Sequence, residues 1–423
     1  MRKVKLGELG TFRNGLNFSK SDYTPNGVKF IGVGDFKNRT KPDYTHLNTV
    51  DSAIASFDDL LIDGDILFVR SNGNKNLVGR TLHISNLTEK TTYSGFCIRF
   101  RPNTLLVDST FLFWMLRSPE CIKQFTYSQQ TNISNLSQSK LAQVELSLPS
   151  LSTQHLISSL LSTIDSKIET NGKIIAELES LARIIYDYWF TQFDFPDENG
   201  NPYRFSGGKM VHNNTLHRDI PEGWEVKPLG DLLTWERGIS YTSKNLGEGV
   251  PMINLASFSP TGYSQGGLKQ YKGHYPESKV LHPYDLVMCN TQQTSIDFSK
   301  DIIGHAFLVP DVFDGDIVFS HHVTHITVDE TLKYWLTALF DSDYFHRYIV
   351  GYVSGTSIMG LDFSGVEKFN SPIPPISLLK QYKSFMKPVY QRKSSLLKES
   401  AKLTALRDWL LPLLMNGQAI IEQ

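Results

Sequence analysis

The feature that most constrains the fold of this 423-residue chain is an internal repeat. The run VKLGELGTFRNGLNF begins at residue 4, and the similar run VKPLGDLLTWERGISY begins at residue 226. Further matches follow in the same order, with an offset of about 220 to 226, as far as Pro149 and Pro374. Internal repeats of this kind determine the architecture of a chain. We therefore expect two similar halves that arose by tandem duplication.

Each half is predicted to begin with a β-rich domain. In the first half the strand-like runs VKFIGVGDF, DILFVRS and FCIRFRP are separated by residues that favour turns. One helix is predicted over 109–125 with Asp108 as its N-terminal cap, and Asp329 followed by LKYWLTALF repeats this pattern. The repeat pairs Trp114 with Trp335. The domains are therefore predicted to be of a mixed, β-rich α/β class.

Each half is predicted to end in a long helix with a heptad seam. In the first helix two neighbouring rows of apolar residues recur every seven positions, and one seam residue, Asn171, is polar. The second helix keeps one such row, whereas its other row is weaker and contains Met386, Lys393, Ser400 and Arg407. Such a seam is typical of a coiled coil, in which a single buried Asn fixes the register. The predicted seam consists of Ile157, Leu161, Ile164, Ile168, Asn171, Ile175, Leu178, Ile185, Tyr382, Val389, Leu396, Leu403 and Leu410.

These patterns predict how the chain is divided. We favour packing of the two long helices on each other, and the alternative is that each packs on its own domain. The predicted segments are a first domain at 1–150, a first spacer helix at 151–190, a connector rich in Gly, Asn, Asp and Pro at 191–222, a second domain at 223–377 and a second spacer helix at 378–415.

Composition indicates a globular protein of the cytoplasm. The three cysteines are far apart in the sequence, which suits a reducing compartment. The first residues, MRKVKLGELG, lack the apolar region of a signal peptide, and no apolar run approaches the roughly 18 residues that span a membrane. Residues 1–150 carry 18 basic and 13 acidic side chains, whereas residues 223–377 carry 10 basic and 17 acidic ones. Because no signal peptide or membrane-spanning run is predicted, we expect no membrane partner.

The motifs of common enzymes are incomplete in this chain. Gly32-Val33-Gly34 lacks the third glycine of a dinucleotide-binding loop, and the Ser206–Lys209 run SGGK is not a phosphate-binding loop. Asn201-Pro202-Tyr203 is one proline short of the motif of amino-methyltransferases. We therefore predict that the chain has no catalytic centre and binds no cofactor or metal ion.

Two enzymatic alternatives remain open. One is a metal site formed by His321, His322 and His325, because residues 321 and 325 would point to the same side of a strand. The other is a self-contained nuclease in which Asp219, Glu225 and Lys227 hold Mg²⁺ and activate water.

The loops of both halves are rich in side chains that suit nucleic acid. Arg and Lys contact guanine edges or phosphate, and Asn and Gln pair with adenine, although such residues also fill ordinary solvated loops. The loop VRSNGNKNL of the first half corresponds to MCNTQQTSI in the second, as expected for two domains that read different DNA words. The candidate DNA-binding residues are Arg13, Asn14, Lys20, Arg70, Ser71, Asn72, Asn74, Lys75, Arg80, Gln129, Gln130, Asn132, Arg237, Tyr241, Ser243, Lys244, Asn290, Gln292, Gln293, Thr356 and Ser357.

Three stretches of the sequence resemble a known family. They are LARIIYDYWFTQFDFPDENGNPYRFSGGKM at 181–210, IPEGWEVKPLGDL at 220–232 and LRDWLLPLLMNGQ at 406–418. On these stretches the chain resembles the specificity subunit of type I restriction–modification systems, over essentially its whole length.

The resemblance implies a fold and a function. It implies that each β-rich domain is a target-recognition domain for one half of a bipartite DNA site, and that the two helices form an antiparallel coiled coil that sets the gap. It also implies that two methyltransferase subunits, which use S-adenosylmethionine to methylate adenine, bind to a non-catalytic subunit. Two restriction subunits that depend on ATP and Mg²⁺ are possible further partners.

Overall fold

The computed structural model describes residues 1–37, 39–74, 77–126, 135–260, 262–293, 301–419 and 421. These residues fall into two units. The first unit consists of Met1–Ile168 and Lys402–Gln423, and the second consists of Glu169–Ala401. Each unit therefore contains one β-rich domain together with a portion of each long helix.

The first unit is built around a four-stranded antiparallel sheet, which we call the main sheet. Its strands lie in the order Gly10–Asn14, Cys97–Pro102, Ile66–Val69 and Thr81–His83. A smaller sheet has the order Thr49–Val50, Tyr23–Ile31 and Thr91–Tyr93. A two-stranded ribbon pairs Arg2–Lys5 with Glu145–Leu148. All four residues of Ile66–Val69 are buried, as expected for a short apolar run bounded by turns.

The second unit repeats this arrangement. Its main sheet has the order Leu233–Arg237, Val323–Val328, Leu286–Cys289 and Ala306–Leu308. Its smaller sheet has the order Lys269–Tyr271, Leu246–Ile253, Ile317–Phe319 and Val280–Leu281, and its ribbon pairs Glu225–Pro228 with Asn370–Ile373. Further strands are Phe258–Ser259, Gly262–Tyr263, Thr291–Gln293, Val353–Ser354 and Ile358–Leu361. The common strand order confirms the predicted duplication.

The match extends to the backbone conformation of single residues. Gly79 and Gly304 occupy the same place in the repeat, and both have a positive φ, of 86° and 80° respectively. Side chains rarely adopt this left-handed conformation, so glycine is the residue that fits both turns.

The single helix predicted over 109–125 is wrong in one respect, because the structure divides it into Ser109–Leu116 and Pro119–Thr126. Proline has no backbone N–H and disfavours helical conformation in the preceding residue, which explains the break. Asp108 caps the first of these helices as predicted, with its Oδ1 accepting a hydrogen bond from the Phe111 N–H at 2.6 Å.

The expectation for the second copy also needs correction. The corresponding helices are Lys333–Phe340 and Asp343–Ile349, and the first of them has no side-chain cap. Asp329 instead accepts from the Thr331 N–H at 2.8 Å, within a turn that precedes the helix. Short helices at Gln138–Ala142 and Ser364–Lys368 complete the domains.

The predicted connector is an ordered part of the second unit. Met210–Asn213 and Arg218–Pro221 form a two-stranded hairpin. Aromatic rings hold the segment in place, because Phe195 stacks on Tyr203 and on Trp224 with ring centroids 4.7 and 5.5 Å apart.

The two long helices are Leu151–Tyr186, which continues as a π-helical turn over Asp187–Thr191, and Ile376–Met415. In the first unit Ile157 and Leu161 share a core with Leu411 and Leu414. In the second unit Trp189 contacts Tyr382 with ring centroids 5.6 Å apart. The start of one helix therefore pairs with the end of the other, and the helices are antiparallel.

Residues of the predicted seam lie inside these contacts. All twelve apolar residues of the predicted seam are partly or fully buried, and Asn171 is completely buried. The same cores contain domain residues such as Phe111 and Trp335, so each helix packs both on its partner and on a domain. Within the described residues, neither long helix is apolar over a stretch that could cross a membrane.

Candidate DNA-recognition surface

Three loops meet at one end of the main sheet in the first unit. They comprise residues 15–19, 70–74 and 94–96. The Gly95 N–H donates to the Leu16 carbonyl at 2.7 Å, and the Arg70 N–H donates to the Phe96 carbonyl at 2.7 Å. We call this surface the loop end of the first unit.

The second unit forms its loop end in the same way. The segments that meet there comprise residues 238–242, 290–293 and 320–322, and Thr291–Gln293 is a short strand. The His321 N–H donates to the Ile239 carbonyl at 2.8 Å, and the Asn290 N–H donates to the His322 carbonyl at 3.0 Å. The two hydrogen bonds are the counterparts of those in the first unit.

A glycine allows the close approach of these loops in each unit. A Cβ atom on Gly15 would lie 2.1 Å from the Ser94 carbonyl oxygen, and one on Gly238 would lie 2.2 Å from that of Phe319. These distances are far shorter than any contact a Cβ atom makes, so a side chain at either position would separate the loops.

The two loop ends differ in their side chains. Phe96, which is 63% exposed in the first unit, has His322 as its counterpart. Burial, followed by the charges of His321 and Lys269, lowers the pKa of His322. A neutral imidazole can donate or accept a hydrogen bond, whereas a phenyl ring offers an apolar contact.

Phe96 and His322 are not among the candidate DNA-binding residues predicted from the sequence. Phe96 was included in a strand, and His322 was considered only as a metal ligand. The signal that identifies both is the repeat itself, since SGFC at 94–97 aligns with SHHV at 320–323.

Two predicted arginines of the first unit have intramolecular partners. Arg13 forms ion pairs with Asp58 at 3.5 Å and Asp59 at 2.7 Å. Burial opposes ionisation of Asp59, but hydrogen bonds from Ser56 and Arg13 outweigh it and keep the pKa of Asp59 below its usual value. Arg80 donates from Nη1 to the Lys37 carbonyl at 2.6 Å.

Three of the other first-unit candidates that the structure describes are exposed. Asn14, Lys20 and Asn74 are exposed, and Ser71 and Asn72 are half-buried. The Asn74 N–H donates to Asn72 Oδ1 at 2.8 Å, which shapes the loop as a turn. Arg70 is half-buried, with its Nη1 3.5 Å from the Gly95 carbonyl oxygen.

Cations and aromatic rings lie together on the strands Leu233–Arg237 and Lys269–Tyr271 and in the loop after Arg237. Arg237 is exposed, and its guanidinium lies 6.0 Å from the centroid of Trp235. Lys269 donates from Nζ to Tyr241 Oη at 2.6 Å and lies over the same ring. Ser243 and Lys244 are exposed.

Two predicted base-contacting amides of the second unit are instead buried in the fold. Asn290 donates from Nδ2 to the His321 carbonyl at 3.2 Å and to Thr324 Oγ1 at 3.0 Å. Gln292 donates to Asp301 at 2.8 Å and accepts from two backbone N–H groups. These amides therefore hold the loop in place and are not exposed at its surface.

Three further candidates of the second unit are exposed near the strand Ile358–Leu361, and four candidates of the first unit lie outside the described residues. Gln293 is exposed on a strand that pairs with Ile358–Leu361, and Thr356 and Ser357 are exposed in the turn before that strand. The predicted residues Lys75, Gln129, Gln130 and Asn132 lie outside the described residues.

The histidine alternative does not match the geometry. His321 and His322 lie in the turn before the strand Val323–Val328, with ring centroids 3.9 Å apart, and are not on the strand as predicted. His325 Nε2 lies 3.6 Å from Asp285. The part of the chain that the structure describes contains no group of three or more metal-ligating side chains.

The three residues of the nuclease alternative are not assembled into one cluster. Glu225 and Lys227 form an exposed ion pair with each other at 2.5 Å. Asp219 contacts His212 Nδ1 at 3.1 Å in the connector hairpin.

The chain is similar to known proteins over part or nearly all of its length. Residues 1–180 match the model of the type I restriction modification DNA specificity domain. The type I restriction enzyme MjaIX specificity subunit of Methanocaldococcus jannaschii is 25% identical over 298 residues, which is 67% of this chain and 63% of that protein. The match thus spans less than two thirds of that relative.

Two further comparisons extend over nearly the whole chain. The type I restriction enzyme HindI specificity subunit of Haemophilus influenzae is 23% identical over 92% of this chain and 94% of its own length. The crystal structure of a type I restriction-modification system S subunit from M. genitalium has a TM-score of 0.55 and 15% identity, covering 98% of this chain and 96% of that one, and so shows the same fold. The chain is therefore similar, over nearly its whole length, to specificity subunits of type I restriction–modification systems.

Proposed function

We propose that this chain reads a bipartite DNA site, with one half-site bound by the loop end of each unit. The observation that carries the proposal is the repeated loop end, in which the same backbone hydrogen bonds hold different side chains. Phe96 suits an apolar contact with a thymine methyl group, and His322 suits a hydrogen bond to a base edge. Two copies of one scaffold would in this way recognise two different words.

The helix pair would set the gap between the two half-sites. The first long helix contains 36 residues. At a rise of 1.5 Å per residue it is roughly 54 Å long, which exceeds one turn of DNA. A gap of about one helical turn between half-sites is therefore geometrically feasible.

We also propose that two methyltransferase subunits dock on the helix pair. Exposed apolar residues occur at the same helical spacing in both halves: Leu181 and Ile184 in the first helix, and Leu406 and Trp409 in the second. The repeat aligns these pairs, because LAR at 181–183 corresponds to LRD at 406–408. Two matched apolar patches support two copies of one partner.

The chemistry would belong to the partners. The methyltransferase subunits would use S-adenosylmethionine to methylate adenine, and two restriction subunits, where present, would use ATP and Mg²⁺. The specificity subunit would contribute recognition and assembly in the cytoplasm, without a catalytic centre of its own.

The recognition proposal is tested by mapping methylated adenines in the source genome with and without this gene. We expect a split motif with a fixed gap that disappears on deletion and returns when the gene is restored. An unchanged map, in cells shown to produce the chain and its methyltransferase partner, would contradict the proposal.

Docking is tested separately by replacing Ile184 and Trp409 with Asp. We expect each single variant to bind one methyltransferase subunit fewer in native mass spectrometry, and the double variant to bind none. Phe57→Asp is the matched control, because Phe57 is 86% exposed and lies outside both helices. Full binding by the double variant would contradict docking at these patches.

A further inference from the structure

The weak row of the second long helix is polar at three seam positions, each seven residues from the next. Lys393, Ser400 and Arg407 stand where a coiled coil usually has apolar side chains. Each contacts a polar side chain of the first long helix, and we call the three contacts rungs. The rungs are Arg407 Nη1 to Asp165 Oδ1 at 3.0 Å, Asn171 Nδ2 to Ser400 Oγ at 3.2 Å, and Lys393 Nζ to Glu179 Oε1 at 2.8 Å.

The rungs are mostly removed from solvent. The side chains of Glu179 and Lys393 are each 18% exposed, and those of Arg407 and Asp165 are 15% and 10% exposed. Asn171 is fully buried and also donates to Glu399 Oε2 at 2.9 Å. A charge in such surroundings is strongly destabilising when its partner is absent.

All three rungs belong to one antiparallel register. Along the first helix the rung positions run from 165 to 171 to 179, and their partners run back from 407 to 400 to 393. The first rung lies within the first unit, and the other two lie within the second. The register is therefore specified independently in each unit.

The apolar seam positions alone would not specify the register of the two helices. Ile175 faces Leu396 in the register that the rungs define, and after a slip of one heptad it would face Val389 or Leu403. All of these residues are apolar, so the seam would be restored after the slip.

The rungs do distinguish the registers. A slip in one direction would place Glu179 opposite Met386 and Asp165 opposite Ser400. A slip in the other direction would place Asp165 opposite Leu414. Either slip leaves a carboxylate without its cation inside the helix pair, which the native register avoids.

We propose that the three rungs are specificity-determining residues, which hold the helix pair in one register and so restrict the subunit to one gap length. The restriction of the gap rests on the proposed function, whereas the single register does not. The rungs then explain why the second helix departs from an apolar seam at these three positions.

The register is tested by cysteine cross-linking of the full chain. The pair Ile175→Cys and Leu396→Cys reports the native register, and the pair Ile175→Cys and Val389→Cys reports a slipped one. The three native cysteines are buried and far from this seam in sequence. With natural rungs we expect oxidation to join the first pair only.

A rungless variant replaces the six rung residues with Leu, which removes both members of each ion pair. We expect it to cross-link through both cysteine pairs. Cross-linking through the native pair alone would overturn the proposal.

A second comparison keeps the test decisive should the rungless chain fail to fold. Glu179→Lys places two cations in one rung, and we expect severalfold less cross-linking through the native pair. Adding Lys393→Glu restores an ion pair of reversed polarity and should restore the cross-link. Equal cross-linking by the single variant and the natural chain would also overturn the proposal.

The consequence for DNA is measured on the complex with its methyltransferase subunits. The substrates carry both half-words and a gap that varies by one base pair at a time. We expect the natural chain to support methylation at one gap and the rungless chain at several. A rungless chain that slips in cross-linking yet methylates one gap alone would refute the role of the rungs in specificity, whereas no methylation by the natural chain would refute the proposed function.

Discussion

The two units place different side chains at the same junction between the long helices and the domain. In the first unit the Arg407 guanidinium lies 5.6 Å from the ring centroid of Trp114 and donates to Asp165 at 3.0 Å. The hydroxyl of Thr40 donates to the other oxygen of this carboxylate at 2.6 Å. These side chains connect both helices to the domain and leave a cavity of about 210 Å³ beside Trp114 and Asp165.

The second unit has small side chains at the matching positions. The helices Ser109–Leu116 and Lys333–Phe340 are both eight residues long, which aligns Trp114 with Ala338. Pairing Trp114 with Trp335 from the sequence was therefore wrong by three residues, because the strand-to-helix connection is longer in the first unit, at 103–108, than in the second, at 329–332.

Arg407, the other large side chain at the junction of the first unit, also has an alanine as its counterpart in the second unit. The repeat in the long helices aligns Arg407 with Ala182. The two alanines line a cavity of about 580 Å³, together with Tyr186, Tyr390 and Asp341. The same backbone arrangement therefore holds a small cavity in the first unit and a larger one in the second, so the backbone does not depend on how fully the junction is filled.

The largest expected effect is that of Trp114→Ala. Trp114 is 2% exposed, and truncating a buried aromatic side chain costs about 3–5 kcal/mol. We expect the first unit to unfold at a lower denaturant concentration, as measured by tryptophan fluorescence and circular dichroism. Trp409→Ala is the control, because Trp409 is 63% exposed, and it should change stability little. Equal effects of the two substitutions would contradict a packed junction.

Arg407→Ala should destabilise the first unit by about 3 kcal/mol, because it leaves Asp165 buried without its cation. Changing Asp165 to Leu in the same chain should recover most of this loss, since the uncompensated charge is then removed. The measurement is the free energy of unfolding of the single and double variants. Losses that simply add would show that the two residues do not interact.

Acid should weaken the first unit through His83. Burial lowers the pKa of His83 to about 4, and Leu308 occupies the same strand position in the second unit. A folded-state pKa below the unfolded value of about 6.5 means that the unfolded chain binds the extra proton, so stability is full above pH 6.5 and falls towards pH 4. We expect about 2 kcal/mol of loss between pH 7 and pH 5 from this group. His83→Leu should remove that part of the pH dependence, and an unchanged slope would contradict the assignment.

The smallest effect is expected for Ala338→Leu, which adds apolar volume to the cavity of the second unit. Filling a cavity commonly stabilises a protein by about 0.5–2 kcal/mol, and we expect the lower end because the cavity also has charged walls. The measurement is again the free energy of unfolding. Destabilisation by more than about 1 kcal/mol, which is typical of overpacking, would show that the space is not available.

These differences indicate what the sequence could predict. The two long helices and the capping of the helix at Asp108 depend on patterns within short segments, and the duplication depends on short runs that recur further along the chain; each was recognised. The break before Pro119 was missed, although it also has a local cause, because the apolar periodicity of 109–125 masked the effect of the proline.

The candidate site was less predictable because its partners are distant in sequence. Nothing local to Asn290 reveals that its amide is held by residues 321 and 324. Likewise, nothing in the seven-residue spacing that includes Arg407 reveals that its partner is Asp165, which lies 242 residues earlier in the chain. Polar side chains of one type serve either as surface contacts or as internal ties, and only the fold decides between these roles.

A domain exchange tests most directly whether the two domains recognise their half-sites independently. Residues 1–150 would be replaced by the corresponding domain of a related specificity subunit, and the methylated adenines of the host genome would be mapped. We predict a new word in one half of the motif, with the other half and the gap unchanged. A change in both half-words, or in the gap, would contradict the view that each repeat reads one half-site while the helix pair sets the distance between them.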